Sequence, residues 1–136
     1  MTDPITHTGF VAAAHNRKAG EVFPFIDAYV AKKEQEIAEI EQMVERYEKR
    51  RLMEDRAYQS MSTLRRMLTG KKPDHHLAVE YIHFVRKPME KVRALRLEIE
   101  KVRKIQNGSA ASDIVSVSHE LASEMNEIDL VTRPYK

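Results

Sequence analysis

Residues Ile26 to Tyr47 read IDAYVAKKEQEIAEIEQMVERY, and the fold class turns on how that stretch is taken. Its apolar positions, Ile26, Tyr29/Val30, Ile37, Ile40, Val44 and Tyr47, alternate by fours and threes. That spacing lines them up on one stripe of an α-helix, as in a coiled-coil seam. The pattern predicts one helix from Phe25 to Leu68, roughly 65 Å long at about 1.5 Å per residue. A helix of that length needs cover along its whole side, from its own chain or from partners.

Gly70 stops the helix and Pro73 bars its continuation, while Asp74 is placed to cap a second helix. The return stretch carries Leu77, Tyr81, Val85, Pro88/Met89, Val92, Leu95, Ile99 and Val102, spaced again by four and three. The expected fold is therefore all-α: a long antiparallel, coiled-coil-like helical hairpin over residues 25–107 with its turn at 69–75. Residues 1–24, interrupted by Pro4, Gly9, Gly20 and Pro24, read as an irregular N-terminal arm. Residues 108–136 read as a linker, an acidic C-terminal helix and a tail. Ser112 or Asp113 would cap that third helix, with Ile114, Val117, Leu121, Met125 and Ile128 on its apolar face. Ile114 to Val117 could pair as a strand in isolation, but helical period through Ile128 favours helix.

Two features break the regularity. After Tyr47 the seam slips, and the apolar row resumes displaced at Met53, Ala57, Met61, Leu64 and Leu68, so the helix is expected to change neighbours near Arg50. Pro88 removes a backbone bond inside the return helix, and a kink is expected between Phe84 and Pro88.

The net charge of +2 conceals blocks of opposite sign. Glu34 to Glu45 holds five acids and no base, Arg46 to Lys72 nine bases against three acids, and Arg86 to Lys104 eight bases against three acids. Asp113 to Asp129 holds five acids and no base. With the turn centred near Lys72, Glu41 would face Lys104, and the acids from Glu34 onward would face Lys101 and Arg103. Like charges would then collect in the middle, where Glu120, Glu124 and Glu127 of the third helix are expected to answer them.

Without cysteine the chain has no disulfide or thiolate metal site, which favours an intracellular address. It lacks a run of about 18 apolar residues and a secretory-type start, so a soluble protein, cytoplasmic before other compartments, is expected. The densest cluster of chemistry is His76, Glu80 and His83, which share a helical face and form a weak candidate metal set. The expected role of that segment is nevertheless a polar hairpin tip, with no metal and no cofactor. His15 and His119 stand isolated in sequence. Neither a nucleophile elbow nor a Gly-rich phosphate loop is present, and catalysis is not expected.

The expected function is that of a non-catalytic structural or adaptor subunit, which uses the helical hairpin and docking arms at both ends to bind protein partners, helical ones or a second copy, within a larger assembly. Phe10, Phe23, Phe25, Tyr29, Val92, Leu95 and Ile99 are the expected anchors. The alternative is a small nucleic-acid-associated regulator using Arg50, Arg51, Arg56, Arg65, Arg66, Arg93 and Arg96, with strongly salt-dependent binding.

Overall fold

A computed structural model describes residues 14–70 and 72–132, with side chains described from His15 to Asn126 within those ranges. In chain order the elements are β1 (Ala14–Lys18), α1 (Ala19–Gln59), α2 (Thr63–Thr69) and α3 (Asp74–Tyr81). A five-residue π turn (Ile82–Arg86), α4 (Lys87–Gly108), β2 (Ile114–Ser118) and α5 (His119–Thr132) follow. The fold is helical in the main, with a pair of long helices, α1 and α4, and one small sheet. The described residues belong to two compact units, one holding those up to Lys33 and from Glu98 onward, the other Glu34 to Leu97.

The first unit is built around a two-stranded antiparallel sheet in which His15 pairs with Val117 and Arg17 with Val115. Both strands correct the expected picture. Residues 14–18 are not irregular, and Ile114 to Ser118 is a strand. Its β-branched residues suit a pleated surface, and β1 supplies the ladder partner that local sequence cannot reveal. The cap of the last helix moves accordingly: Ser118, not Ser112 or Asp113, accepts from the Leu121 N–H through its Oγ at 3.2 Å.

α1 starts six residues before Phe25, directly after β1, and carries Pro24 inside. Its first two N–H groups lack helical acceptors and find the 109–113 loop instead. Ala19 donates to the Asp113 carbonyl at 2.8 Å and Gly20 to the Ala111 carbonyl at 2.9 Å. A Cβ on Gly20 would lie 3.1 Å from both the Cβ and the carbonyl oxygen of Ala111, so glycine permits the close approach. Asp113 holds the loop in turn, its Oδ2 accepting from the Ala110 N–H at 2.8 Å.

The core of this unit gathers Val22, Ile26, Tyr29 and Val30 of α1, Val102 of α4, Val117 of β2, and Leu121, Ala122 and Met125 of α5. The last helix therefore packs against its own chain. The partners of Glu120 and Glu124 are lysines of the first unit, not the expected arginines of the hairpin's middle. Glu124 meets Lys32 at 2.7 Å and Glu120 pairs with Lys33, while the Glu127 side chain lies outside the described set. α1 and α4 meet in reversed order here, since Asp27 accepts from Arg103 at 2.8 Å and Tyr29 donates to Glu98 at 2.8 Å.

In the second unit the same reversal brings Glu41 to Arg96 at 3.1 Å and the Tyr47 hydroxyl to Glu80 at 3.2 Å. Glu41 thus faces Arg96 rather than Lys104. The cause lies in the connection: α1 ends at Gln59, not Leu68, and the whole Ser60–Pro73 excursion makes the reversal, which centres it near Arg66 instead of Lys72. Ser60 bonds back to the Ala57 carbonyl, and Ser62 caps a fresh helix by accepting from the Arg65 N–H at 3.3 Å. α2 closes on Gly70, whose φ of 72° is a conformation glycine adopts without strain. Pro73, not Asp74, is the cap of α3, and Asp74 sits in the first turn, where its charge suits the helix dipole.

Pro88 is accommodated by the π turn just ahead of it. Lys87 donates to the Ile82 carbonyl, a wider step than the α register, and such bulges commonly absorb an interruption in the backbone ladder. Val44, Tyr47 and Val85 form a small core with Ile40 and Met89 at its edge. The displaced row is not a seam: Met53, Leu64 and Leu68 stand exposed.

Candidate functional site

Two surfaces and one side-chain pair collect the residues that could act. On the first unit, His15 of β1 and His119 of α5 come together, although sequence places them 104 residues apart. His15 Nε2 lies 3.2 Å from His119 Nδ1, and Ser123 Oγ stands 3.5 Å from the other nitrogen of His119. Strand pairing makes this contact, so no local spacing could have announced it. Two imidazoles fall short of the three or four protein ligands typical of zinc sites. Among the described residues no group of three or more His, Cys, Asp or Glu is placed to hold a metal ion. A cavity of about 740 Å³ beside the pair is lined by Lys101, Lys104, Ser116, Ser118, His119 and Glu120, among others.

The weak candidate metal set at the tip, His76, Glu80 and His83, is not brought together. Glu80 is taken by two donors, Lys72 Nζ at 2.9 Å and the Tyr47 hydroxyl. The Lys72 bond is the main reason its carboxyl is held below the ordinary value, against partial desolvation. His76 is exposed beside the His75 ring, and His83 meets Phe84 edge-on at 4.9 Å. Tyr47 is raised by burial first and by its bond to Glu80 second. These contacts are structural: they fix the start of the return chain against α1.

The expected partner anchors are for the most part covered by the chain itself. Tyr29, Val92 and Leu95 are buried, and Ile99, Phe23 and Phe25 pack half-buried against the first unit's core. Phe10 lies outside the described residues. A helical seam shows that a side chain needs cover; it does not show who provides it, and here the cover for the described anchors is intramolecular.

The basic stripe divides likewise. Arg51 reaches Glu54 at 2.7 Å and Asp55 at 3.3 Å, Arg96 reaches Glu41, and Arg50 lies 5.6 Å over the Tyr47 ring. Arg66 turns inward to the last carbonyls of α1, at Tyr58 and Gln59. Arg56, Arg65 and Arg93 remain exposed.

What sequence reading missed is the exposed apolar set of the second unit. It includes Met43, Leu52 and Met53 on α1, Leu64, Met67 and Leu68 on α2, and Val79, Tyr81 and Phe84 beyond the reversal. Three of these residues lie on α2, the short helix that follows the break of α1 at Gln59. No helix among the described residues is long and apolar enough to cross a membrane. Comparison with protein-family models, with curated proteins and with solved structures gave no match.

Proposed function

We propose that the chain is a non-catalytic structural or adaptor subunit, a coiled-coil-like antiparallel hairpin that presents the residues of its second unit to a helical protein partner. One observation carries this reading. Of the twelve large apolar side chains exposed among the described residues, eleven fall between Glu34 and Leu97, and Ile114 is the exception. Scattered single apolar residues need no explanation, but a concentration of this kind marks an interaction surface. The first unit, by contrast, is closed by its own α5. The docking residues are therefore drawn from the exposed set, Leu52, Met53, Val79 and Tyr81, in place of the buried Tyr29, Val92 and Leu95.

Affinity capture of the full chain from native cells, at moderate salt and with a nuclease-treated control, tests the proposal. Wild-type protein is expected to retain a stoichiometric protein partner after nuclease, and a Leu52→Ser, Met53→Ser, Val79→Ser variant to lose it while keeping its helix content. Equal capture by both forms overturns the assignment of the surface. The nucleic-acid alternative has narrower support, in the exposed Arg56, Arg65 and Arg93. It takes over if everything captured disappears with nuclease and with rising salt.

A further inference from the structure

We propose that α2 is a membrane-surface anchor, which seats Leu64, Met67 and Leu68 among the headgroups of an anionic lipid surface with Arg56 and Arg65 directed to the lipid phosphates. The proposal goes beyond the protein-partner reading and uses residues that reading does not require.

The helix buries none of its seven residues. Leu64, Met67 and Leu68 are 70, 78 and 80% exposed, and their spacing of three and four places them on one face. A surface helix ordinarily turns its apolar stripe to the core. Here the opposite orientation is imposed by Arg66. Its Nε donates to the Tyr58 carbonyl at 3.1 Å, a second guanidinium nitrogen donates to the Gln59 carbonyl, and the group lies 5.7 Å over the Tyr58 ring. Those carbonyls end α1, where helical acceptors run out of donors, and the Tyr58 carbonyl also accepts from the Met61 N–H at 3.2 Å. Arg66 reaches both and, in doing so, turns its own side of α2 toward the end of α1 and leaves Leu64, Met67 and Leu68 facing out.

Charge decides the occupant. From Arg56 to Pro73 the chain has no acid and carries Arg56, Arg65, Arg66, Lys71 and Lys72. Lys72 is answered by Glu80, and Arg56 and Arg65 are exposed. A second copy meeting this patch symmetrically would set like charges against each other. Nucleic acid would answer the bases and leave three apolar side chains wet. A protein groove reads a helix through anchors extending to the seventh residue along, and α2 ends at Gly70 after two turns. An anionic lipid surface meets both features without shape complementarity, since apolar side chains enter the headgroup boundary while Arg stays with the phosphates. At about 10 Å, α2 can lie on such a surface and cannot cross it.

The experiment is co-sedimentation of the full chain with vesicles of phosphatidylcholine alone and of phosphatidylcholine mixed equally with phosphatidylglycerol. Binding to the mixed vesicles, weakening as salt rises, and little binding to phosphatidylcholine alone are expected. The Leu64→Ser, Met67→Ser, Leu68→Ser variant is expected to partition about tenfold less, and Arg65→Gln about fivefold less. Because α2 buries nothing, both variants should match wild type in circular dichroism and thermal melting. Absence of binding to the mixed vesicles at low salt overturns the proposal. Binding that the triple serine variant leaves undiminished also overturns it, as simple adsorption of charge. So does a triple variant that loses a captured protein partner while wild type ignores both kinds of vesicle, because α2 is then a protein-docking helix.

Discussion

Tyr29 joins three elements of the first unit: it lies in α1, donates to Glu98 of α4 at 2.8 Å and stands 3.3 Å from the Ser118 hydroxyl of β2. Its ring is fully buried. Tyr29→Phe keeps the packing and removes a bond to a charged acceptor, so a loss of about 1–2 kcal/mol is expected in urea unfolding. Burial first, then the Glu98 bond and charge, raise the phenol well above the ordinary tyrosine range, against the opposing pull of Ser118. The folded state therefore holds this proton more tightly than the unfolded chain does. The corresponding stability is present below about pH 10, the unfolded value, and is lost as pH climbs from there through the folded one. Alkaline denaturation should show that slope in wild type and a shallower one in Tyr29→Phe. Lys33, 1% exposed, lies 5.1 Å from the centre of the Tyr29 ring and pairs with the more exposed Glu120. Methionine at position 33 keeps the buried stem without the charge, whereas alanine at 120 withdraws a carboxylate from a buried ammonium. Glu120→Ala is thus expected to cost about 1–3 kcal/mol and Lys33→Met less than that, compared in the same unfolding assay.

At the scale of elements, Arg66 makes the clearest prediction, because one side chain both ends α1 and orients α2. Arg66→Ala leaves the Gln59 carbonyl to water and the Tyr58 carbonyl with the Met61 N–H alone, and it releases α2, which buries none of its residues. Amide exchange across residues 56–69 should speed up while the global unfolding free energy stays within about 0.5 kcal/mol of wild type. A large drop in global stability would show that α2 is part of the core after all. The same elements show what sequence could reveal. The seam from Ile26 to Tyr47 and the return row from Val85 to Val102 were legible because long helices repeat one local rule many times. β1 was not, since Ala14-His15-Asn16-Arg17-Lys18 carries no strand signature and becomes a strand only through its ladder with Ile114 to Ser118. β2 was ambiguous for the converse reason, its β-branched run fitting either period. The contact of His15 with His119 follows from that ladder and was equally hidden. The role of Arg66 depends on where α1 stops, and an expected helix to Leu68 left it among the surface bases.

For the whole molecule, the two units differ in how they are closed, and that difference should be measurable along single helices. In the first unit nine buried side chains from α1, α4, β2 and α5 form one cluster, with the sheet and the 109–113 loop tying the ends together. In the second unit Val44, Tyr47 and Val85 form a smaller cluster with two partners at its edge, Ile37, Val92 and Leu95 are buried besides, and the described residues of α2 and α3 contribute no buried side chain. Burial of apolar surface supplies most of the resistance to opening, and each fully buried aliphatic side chain adds roughly 1.5–3 kcal/mol. Segments with few such contacts open locally before the molecule unfolds. Native-state hydrogen exchange in low denaturant is therefore expected to find the slowest amides between Val22 and Lys33, around Val102, and from Val117 to Met125. Amides of α3 and the π turn should exchange through openings a few kcal/mol cheaper than global unfolding. Because α1 continues to Gln59 while its last buried side chain is Tyr47, the drop should occur inside that continuous helix, beyond Tyr47. Uniform protection along α1 would show that helix continuity outweighs local burial. A partner bound to the exposed residues of the second unit should raise protection there and leave the first unit unchanged, since only the second gains apolar cover.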